Sequence, residues 1–375
     1  MEQDRHFSEL DGHVITDIKF KQFRARYPRL HGKNARLGIH GFGGTVKLAQ
    51  IFTDQGASGW GAYEGECAPC EMLIGKRVSE VFRSDYGILD SDYKAYDIAL
   101  HDLAGNILGI PVYRMIREDA EGRANVYDGA IYMNDLIPED NSAGVETILN
   151  DCQYDYDLGY RTFKIKIGRS YQWMEHEEGL NRDIEVVKKI HERFPTVRLM
   201  VDANDGYTYE DCIRFLEGIG DCPLVWFEEP FREAKEPCTR LKEYFKYNRP
   251  TTWLADGESY TDIGLLHQLS EEGCLDVWQP DILSYGFTAW RNLLKDITAK
   301  GYLASPHSWG LVVKTCYCAH LAAAYPHHIP CVEAVLGESE GVDYSNYQLR
   351  EGVLMLPQDS GFGIRLIWAE ECQTI

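Results

Sequence analysis

The sequence predicts an α/β protein: a (β/α) barrel of the TIM type, with about eight strands, behind an N-terminal α+β capping domain. Three observations predict it. The chain has 375 residues, more than a barrel of roughly 250 residues needs. From about residue 125 onwards, short apolar runs alternate with segments of helical periodicity. Single acidic residues end three successive apolar runs, and barrels carry their functional groups at the carboxyl ends of their strands.

Residues 1–124 are predicted to form the capping domain. In the segments 14–20 and 45–52, apolar residues either alternate with polar ones or follow one another, as they do in strands. Another extended segment begins at Gly59. Residues 76–116 have a helical pattern. The glycine-rich loop between the first two strands, residues 29–44, is predicted to be mobile.

Residues 125–342 are predicted to form the barrel. Helical segments such as 183–194, with an apolar stripe, separate its candidate strands. Residues 343–375 are predicted to be a loop-rich tail that returns to the capping domain. The eight candidate strands are 126–132, 163–167, 199–203, 225–228, 253–255, 277–280, 302–305 and 332–335.

The composition excludes some partners. A net charge of −21 argues against nucleic acid or an anionic membrane as the main partner. It allows a small anionic substrate, because a metal ion and a few lysines can invert the field locally. The sequence has no signal peptide and no membrane-spanning run, and its eleven cysteines are scattered, so we expect a cytoplasmic protein. The lone C-x-x-C at Cys67 and Cys70 lacks the second pair typical of structural zinc sites.

Asp202, Glu228 and Glu258 each follow an apolar run, one on each of three consecutive predicted strands. Any one of them alone would be read as a solvated acidic residue at a strand end. Three carboxylates at the ends of three consecutive strands predict a metal site, because carboxylate oxygens with room for water and substrate suit Mg2+. Asn204 lies on the same strand face as Asp202 and is a candidate to orient the site or touch the substrate. Glu229 is expected on the opposite face, in a structural ion pair.

Lys164 and Lys166 share one face of the preceding strand. A pair of surface lysines on an edge strand is the alternative, but a central barrel strand has no solvent-facing edge. Burial and a like charge nearby lower the pKa of a lysine towards neutrality. The pair therefore predicts a base for proton transfer.

Asp281 and His307 end the sixth and seventh predicted strands. A carboxylate bonded to one imidazole nitrogen fixes the tautomer, raises the basicity and leaves the other nitrogen for proton transfer. Glu333, on the eighth strand, is a candidate to hydrogen-bond an enolate oxygen if it is protonated or bridged. In the loop of the capping domain, Lys33, Arg36 and His40 are candidates to bind the far end of a substrate, although a solvated loop explains them equally well.

Together these residues resemble the enolase superfamily and, within it, the mandelate racemase subgroup. The resemblance covers the whole chain. The muconate-cycloisomerase-like subgroup is less similar, because it carries a lysine where this chain has Asp281. The residues that carry the resemblance are Lys164-x-Lys166, Asp202 with Asn204, Glu228-Glu229-Pro230, Gly257-Glu258, Asp281, His307 and Glu333.

The resemblance implies an Mg2+-bound carboxylate substrate, with Lys166 and His307 as the two acid/base groups. Lys164 would neutralise the substrate carboxylate, and Asp281 would support His307. Most members with this pattern are similar to acid-sugar dehydratases. These remove the α-proton of an aldonate or aldarate to form an enolate, and His307 would protonate the leaving β-hydroxyl to give a 2-keto-3-deoxy acid.

Two alternatives stay open. A racemase or epimerase of a 2-hydroxy carboxylate needs the same two groups and no leaving group. A non-catalytic homologue would keep the fold and the metal alone. The resemblance also implies a homo-oligomer.

Overall fold

A computed structural model describes residues 2–66, 69–137, 144–335 and 337–367 of the chain. Cys67 of the C-x-x-C pair and residues 368–375 of the predicted tail lie outside these ranges. Within them, no helix has the length and apolar character needed to cross a membrane.

The N-terminal part is built on an antiparallel sheet. Helix α1 (Glu2–Asp11) precedes the strands β1 (Ile15–His31), β2 (Gly41–Thr53) and β3 (Ser58–Tyr63), which are adjacent in that order. Burial tends to alternate along the long β1, as expected of a strand with one face on a core. The β1–β2 hairpin ends in the loop of residues 32–40, here called the cap loop.

Short elements follow, and one helix packs on the sheet. In order they are α2 (Val78–Val81), β4 (Phe82–Arg83), β5 (Gly87–Ile88), α3 (Asp97–Leu108) and α4 (Val112–Ile116). Glycine lets α3 lie directly on β3: a Cβ at Gly59 would lie 2.1 Å from the backbone nitrogen of Leu103, and one at Gly61 would lie 2.4 Å from Ile98. The predicted strands are present, but the range 76–116 is helical only in part, because β4 and β5 lie between α2 and α3.

All eight predicted strands of the second part are present, and helices alternate with them. The strands are β6 (Arg123–Ile131), β7 (Thr162–Lys166), β8 (Arg198–Asp202), β9 (Leu224–Glu228), β10 (Trp253–Asp256), β11 (Val277–Trp278), β12 (Leu303–Ala304) and β13 (Val332–Ala334). The helices are α5 (Val145–Leu158), α6 (His176–Arg193), α7 (Tyr209–Gly218), α8 (Lys235–Asn248), α9 (Ile263–Glu271), α10 (Ile282–Tyr285), α11 (Phe287–Ala299) and α12 (Val312–Ala324).

The strand order is that of a β/α barrel. Strands β6 to β12 pair with their sequence neighbours in parallel, and β13 pairs in parallel with β6, so the eighth strand lies beside the first. On the side between β12 and β13, the backbone nitrogen of Ala304 donates to the carbonyl of His328. All these strands therefore present their carboxyl ends at one rim.

The C-terminal segment, which begins before the tail predicted at residue 343, contacts both parts of the chain. Its strands are β14 (Glu338–Ser339), β15 (Val342–Asp343), β16 (Gln348–Arg350), β17 (Val353–Met355) and β18 (Arg365–Leu366). Strand β14 pairs with β1, and β17 pairs with β6. The backbone nitrogen of Phe362 donates to Asp102 of α3, and the indole of Trp60 donates to the carbonyl of Ile364.

Candidate metal and proton-transfer site

The site lies one layer above an apolar floor. The floor is a separate cluster of six buried residues that comes from successive strands: Tyr127, Met200, Trp226, Ala255, Val277 and Cys331. Because side chains on a strand alternate between faces, the residues two positions later point the same way. That rule places Gly129, Asp202, Glu228, Gln279 and Glu333 in the next layer.

Strand β10 departs from this register. Gly257 has φ +108°, a conformation that favours glycine, and the carboxylate that reaches the site belongs to Glu258. Oxygens of Asp202, Glu228 and Glu258 lie within 4.8 Å of one another. The structure thus brings together the three residues predicted to bind a metal.

Neighbouring donors hold two of the three carboxylates in place. The indole of Trp226 and the amide of Gln279 both donate to Oε2 of Glu228, at 3.0 and 2.7 Å. The backbone nitrogen of Asn204 donates to Asp202 at 2.9 Å. Oε2 of Glu258 is buried and has no hydrogen-bond partner among the described residues.

The two lysines face these carboxylates. Lys164 is fully buried; it is hydrogen-bonded to Glu228, and its Nζ lies 3.4 Å from both Asp202 and Glu333. Nζ of Lys166 lies 2.5 Å from Oδ2 of Asp202. Two lysines do not neutralise four carboxylates, and the oxygen donors are hard. The residues present therefore fit a divalent cation.

The predicted lowering of the lysine pKa is wrong for this arrangement of charges. Burial does lower the pKa of Lys164, but the charges of Glu228 and Glu333 outweigh it and hold that pKa well above its usual value. Burial also opposes the charged form of Lys166, and Asp202 raises the pKa above its usual value. The sequence shows the neighbouring lysine but not the number of carboxylates around the pair.

His307 and Asp281 form the predicted pair. Nδ1 of His307 lies 2.9 Å from Oδ2 of Asp281. The other oxygen of Asp281 caps α10 by accepting from the backbone nitrogens of Leu283 and Ser284, which fixes the carboxylate. Nε2 of His307 faces the site, 3.1 Å from Glu258 and 3.6 Å from Glu333.

These charges make His307 basic. Burial lowers the pKa of His307, but Glu258, Asp281 and Glu333 raise it to about 9. Lys166 contacts the triad at Asp202 and His307 contacts it at Glu258. The two groups therefore approach the three carboxylates from different strands, β7 on one side and the end of β12 on the other.

Glu333 reaches this layer because residue 129 is glycine. A Cβ there would lie 2.0 Å from Oε1 of Glu333. Burial raises the pKa of Glu333, but Lys164 and His307 outweigh it, so the pKa is below its usual value. Glu333 is therefore a carboxylate at neutral pH, an acceptor of hydrogen bonds.

Asn204 and Glu229 contact each other. The amide of Asn204 donates to Oε2 of Glu229 at 3.2 Å, and the backbone nitrogen of Ser259 donates to Oε1 at 3.1 Å. The expected ion pair of Glu229 is wrong: its hydrogen bonds go to an amide and to the backbone. Oδ1 of Asn204 is buried without a hydrogen-bond partner among the described residues.

The cap loop is tied to the barrel rim. The amide of Gln172 donates to the carbonyls of Ala35 and Arg36, and the indole of Trp173 donates to the carbonyl of Asn34 at 2.7 Å. A Cβ at Gly168 or at Gly206 would lie 2.7 Å from Cβ of Ala35. These contacts attach the backbone of the cap loop to the rim, in a region whose glycine content predicts a mobile loop.

The three predicted cap-loop residues have different surroundings. Nζ of Lys33 lies 4.4 Å from the ring centre of Trp173. Arg36 pairs with Asp205 at 3.4 Å. The ring of His40 packs on Tyr132, with 4.6 Å between ring centres. It is close enough to Lys166 and Glu258 for their charges to act on its pKa. Of the three, His40 lies towards the metal triad.

Several residues of the site were not predicted. Gln279 lies two positions before Asp281, so period-two alternation was the available signal. Lys314 is the one charged lysine or arginine of the buried helix α12, and it donates to Oδ2 of Asp281 at 2.6 Å. A group of rings, here called the ring cluster, joins the cap loop to the rim, and of its members the sequence analysis named only His40 as a candidate. It consists of Tyr27, His31, His40, Tyr132 and Trp309.

Comparisons with known proteins agree with this geometry. A family model described as enolase C-terminal domain-like matches residues 148–370. The chain is 25% identical to the D-galactarolactone cycloisomerase of Agrobacterium fabrum, over 85% of this chain and 88% of that protein. It is 22% identical to the D-xylonate dehydratase of Haloferax volcanii, over 94% of this chain and 86% of that protein.

Solved structures are similar over nearly the whole chain. One is a galacturonate dehydratase from Geobacillus sp. in complex with D-galacturonate and 5-keto-4-deoxy-D-galacturonate; it is 30% identical, covers 95% of each chain and has a TM-score of 0.87. Another is a mandelate racemase/muconate lactonizing protein from Geobacillus sp. in complex with magnesium and tartrate. It is 30% identical, covers 96% of this chain and 94% of that one, and also has a TM-score of 0.87.

Proposed function

This chain belongs to the enolase superfamily, and we propose that it is an Mg2+-dependent dehydratase that converts an acid sugar to a 2-keto-3-deoxy acid. One observation carries the proposal. Lys166 and His307 contact a three-carboxylate site from two strands on different sides, and Asp281 fixes the imidazole so that Nε2 faces that site. The similarity to dehydratases of galacturonate and xylonate supports it.

Asp202, Glu228 and Glu258 would hold the metal ion. When bound, Mg2+ supplies positive charge that binds the substrate carboxylate and stabilises the negative charge that develops there as the α-proton leaves. Lys164, buried between Glu228 and Glu333, adds a fixed positive charge next to that carboxylate.

Lys166 and His307 divide the proton transfers. A bound metal ion would offset the charge of Asp202 that raises the pKa of Lys166. The uncharged amine then takes the proton from the α-carbon, and the electrons of the broken C–H bond form the enolate. Because its pKa is raised to about 9, His307 carries a proton on Nε2 at neutral pH. It donates that proton to the β-hydroxyl, the C–O bond breaks and water leaves. The enol then tautomerises to the 2-keto acid.

The same geometry supports a second candidate, epimerisation of a 2-hydroxy acid. Two acid/base groups on different sides of one carbon are the minimum for removing a proton from one face and returning one to the other. No leaving group is then required. Incubation in D2O separates the candidates, since inversion with α-deuterium uptake and no keto acid favours epimerisation.

Screening a library of aldonates, aldarates and uronates, with semicarbazide to detect 2-keto acids, tests the proposal. We expect at least one acid sugar to be dehydrated with Mg2+ and none after EDTA treatment. Tight Mg2+ binding, measured by calorimetry, without turnover of any acid sugar would refute dehydration.

A further inference from the structure

We propose that the acid sugar accepted by this site is a monocarboxylate, an aldonate or a uronate, whose far end is an uncharged alcohol or aldehyde. A dicarboxylate, an aldarate, would be a poor substrate. This inference rests on the proposed function and deepens it, because it concerns the end of the substrate away from the metal triad.

The ring cluster lies where that end would be. Nζ of Lys166 is 5.6 Å from the ring centre of Tyr132, and Trp309 follows His307 by two residues. His31 stacks on Tyr27 at 4.1 Å and lies 4.9 Å from Trp309. A substrate held by its carboxylate at the triad, with its α-carbon between Lys166 and His307, therefore extends towards these rings.

The two imidazoles of the ring cluster are neutral hydrogen-bonding groups. Nδ1 of His40 lies 2.7 Å from the carbonyl of Gly32. A carbonyl only accepts, so Nδ1 carries the hydrogen and Nε2 of a neutral ring is left as an acceptor. Burial lowers the pKa of His40 below its usual value, which keeps the ring neutral at pH 7.

His31 is the second neutral imidazole of the ring cluster. Its side chain is buried, and its Nδ1 has no hydrogen-bond partner among the described residues. Burial, with the charge of Arg29 adding to it, lowers the pKa of His31 to about 2. Neutral imidazoles pair with hydroxyl groups, but they offer no charge to a second carboxylate.

The nearby cations already have carboxylate partners. Arg29 pairs with Asp155 and Asp151, Arg36 pairs with Asp205 at 3.4 Å, and Lys314 pairs with Asp281 at 2.6 Å. The segments outside the described ranges contain no lysine, arginine or histidine, so they supply no further cationic side chain.

Lys33 is the exception, and it serves as the control. Its Nζ lies against the indole of Trp173, and the ion pairs of the described residues include none for it. If the far end of the substrate were a carboxylate, Lys33 would be its partner on the cap loop. The Lys33→Met variant therefore separates the two ligand classes.

The rim also repels a second negative charge. Besides the metal triad, Glu333 faces the site, and Asp281 is a buried carboxylate behind His307. A second carboxylate would enter this field without a counter-charge. Since like charges placed together cost several kcal/mol, we expect kcat/KM for the dicarboxylate to be lower by at least about 100-fold.

Matched substrate series test the inference. L-Galactonate, D-galacturonate and galactarate have the same configuration when counted from one carboxylate, and they differ at the far end, which is an alcohol, an aldehyde or a carboxylate. D-Mannonate, D-mannuronate and D-mannarate form a second such series. We would measure kcat/KM for each with Mg2+. Calorimetric binding to the Lys166→Met variant with Mg2+ adds a readout that does not need turnover.

We expect a monocarboxylate to be favoured in both assays and Lys33→Met to leave the ratio of mono- to dicarboxylate unchanged within about twofold. A dicarboxylate used within fivefold of the best monocarboxylate, or lost on the Lys33 substitution, overturns the inference and leaves dehydration standing. Binding of a monocarboxylate that the natural enzyme never dehydrates overturns the proposed reaction alone. If no member of any series binds, the inferred ligand class is wrong.

Discussion

The two halves of this site consist of different kinds of side chain. On the barrel side, buried carboxylates and lysines stand on strand ends, and each charge has a charged neighbour within 4.0 Å. On the cap side, aromatic rings and neutral imidazoles meet a loop held by hydrogen bonds to its backbone carbonyls. In the proposed reaction, the charge that would stabilise an enolate lies in one half, and the groups that would recognise the shape and hydroxyls of a substrate lie in the other.

This division separates chemistry from specificity. Strand ends fix the acid/base groups to a rigid frame, so their geometry does not depend on the substrate. The cap loop makes few charged contacts to the site, so changes in it should alter which substrate fits without removing the reaction. Substitutions in the two halves should therefore have different kinetic signatures.

The largest effect is expected from removing an acid/base group. Lys166→Met and His307→Asn should each lower kcat by at least about 1,000-fold, because proton transfer loses its donor or acceptor. Steady-state kinetics on the best acid sugar measures the loss. Lys188→Met, on the exposed face of α6, is the matched control and should retain full activity. If either site variant keeps a tenth of the natural kcat, its assigned role is wrong.

The affinity for Mg2+ should distinguish a residue that binds the metal from a residue that only holds a metal ligand in place. Glu258→Gln keeps the size of the side chain and removes its charge, so Mg2+ affinity should fall by at least about 100-fold. Gln279→Leu removes only the 2.7 Å hydrogen bond to Glu228, and a loss of about tenfold is expected. Titration calorimetry with Mg2+ alone measures both. Equal losses for the two variants would contradict the assignment of Glu258 as a ligand.

The sequence predicted the barrel half well and the cap half poorly, and the physical reason is periodicity. Asp202, Glu228 and His307 follow apolar runs at strand ends, and parallel strands bring their carboxyl ends to one rim whatever the details of packing. Asp256 directly follows the predicted strand 253–255, so the choice of Glu258 depended on the Gly257-Glu258 motif; the break at Gly257 is visible only in the structure.

Contacts of the cap depend on tertiary docking. Nothing in the local pattern of Tyr27, His31 or Trp309 marks them as neighbours, since residues far apart in the chain meet only after the hairpin folds over the rim. Lys33 and Arg36 looked like substrate cations by residue type alone. The surrounding Trp173 and Asp205, which come from two different barrel loops, could not be assigned to them from the sequence.

The cap loop should respond differently from the barrel when its attachment is weakened. Trp173→Phe keeps an aromatic ring under Lys33 but removes the 2.7 Å hydrogen bond to the carbonyl of Asn34. One lost hydrogen bond corresponds to a rise in KM of about five- to tenfold, with kcat within about twofold of the natural value. A variant that loses kcat and keeps its KM would show that the loop positions the reacting groups, and the division between the halves would then fail.

The last prediction compares two buried histidines and concerns stability, with no effect on activity expected at neutral pH. His307 lies among carboxylates, whereas His320 of α12 accepts from the backbone nitrogen of Tyr113 and lies 2.9 Å from the hydroxyl of Tyr347. Burial lowers the pKa of His320 from 6.5 to about 3. Between pH 6.5 and about 3, His320 therefore binds a proton in the unfolded chain but not in the folded chain. The stability that is present above pH 6.5 is lost as the pH falls towards 3.

At pH 5 this residue alone should lower the free energy of unfolding by about 2 kcal/mol relative to pH 7. Urea unfolding at both pH values measures the difference for the natural protein and for His320→Gln, which cannot titrate. Because His31 and His101, whose pKa values burial also lowers, are present in both proteins, their contribution cancels. The variant should be less stable at pH 7 but less sensitive to acid. An equal pH dependence of the two proteins would mean that the pKa of His320 is the same in the folded and the unfolded chain, and that burial does not lower it.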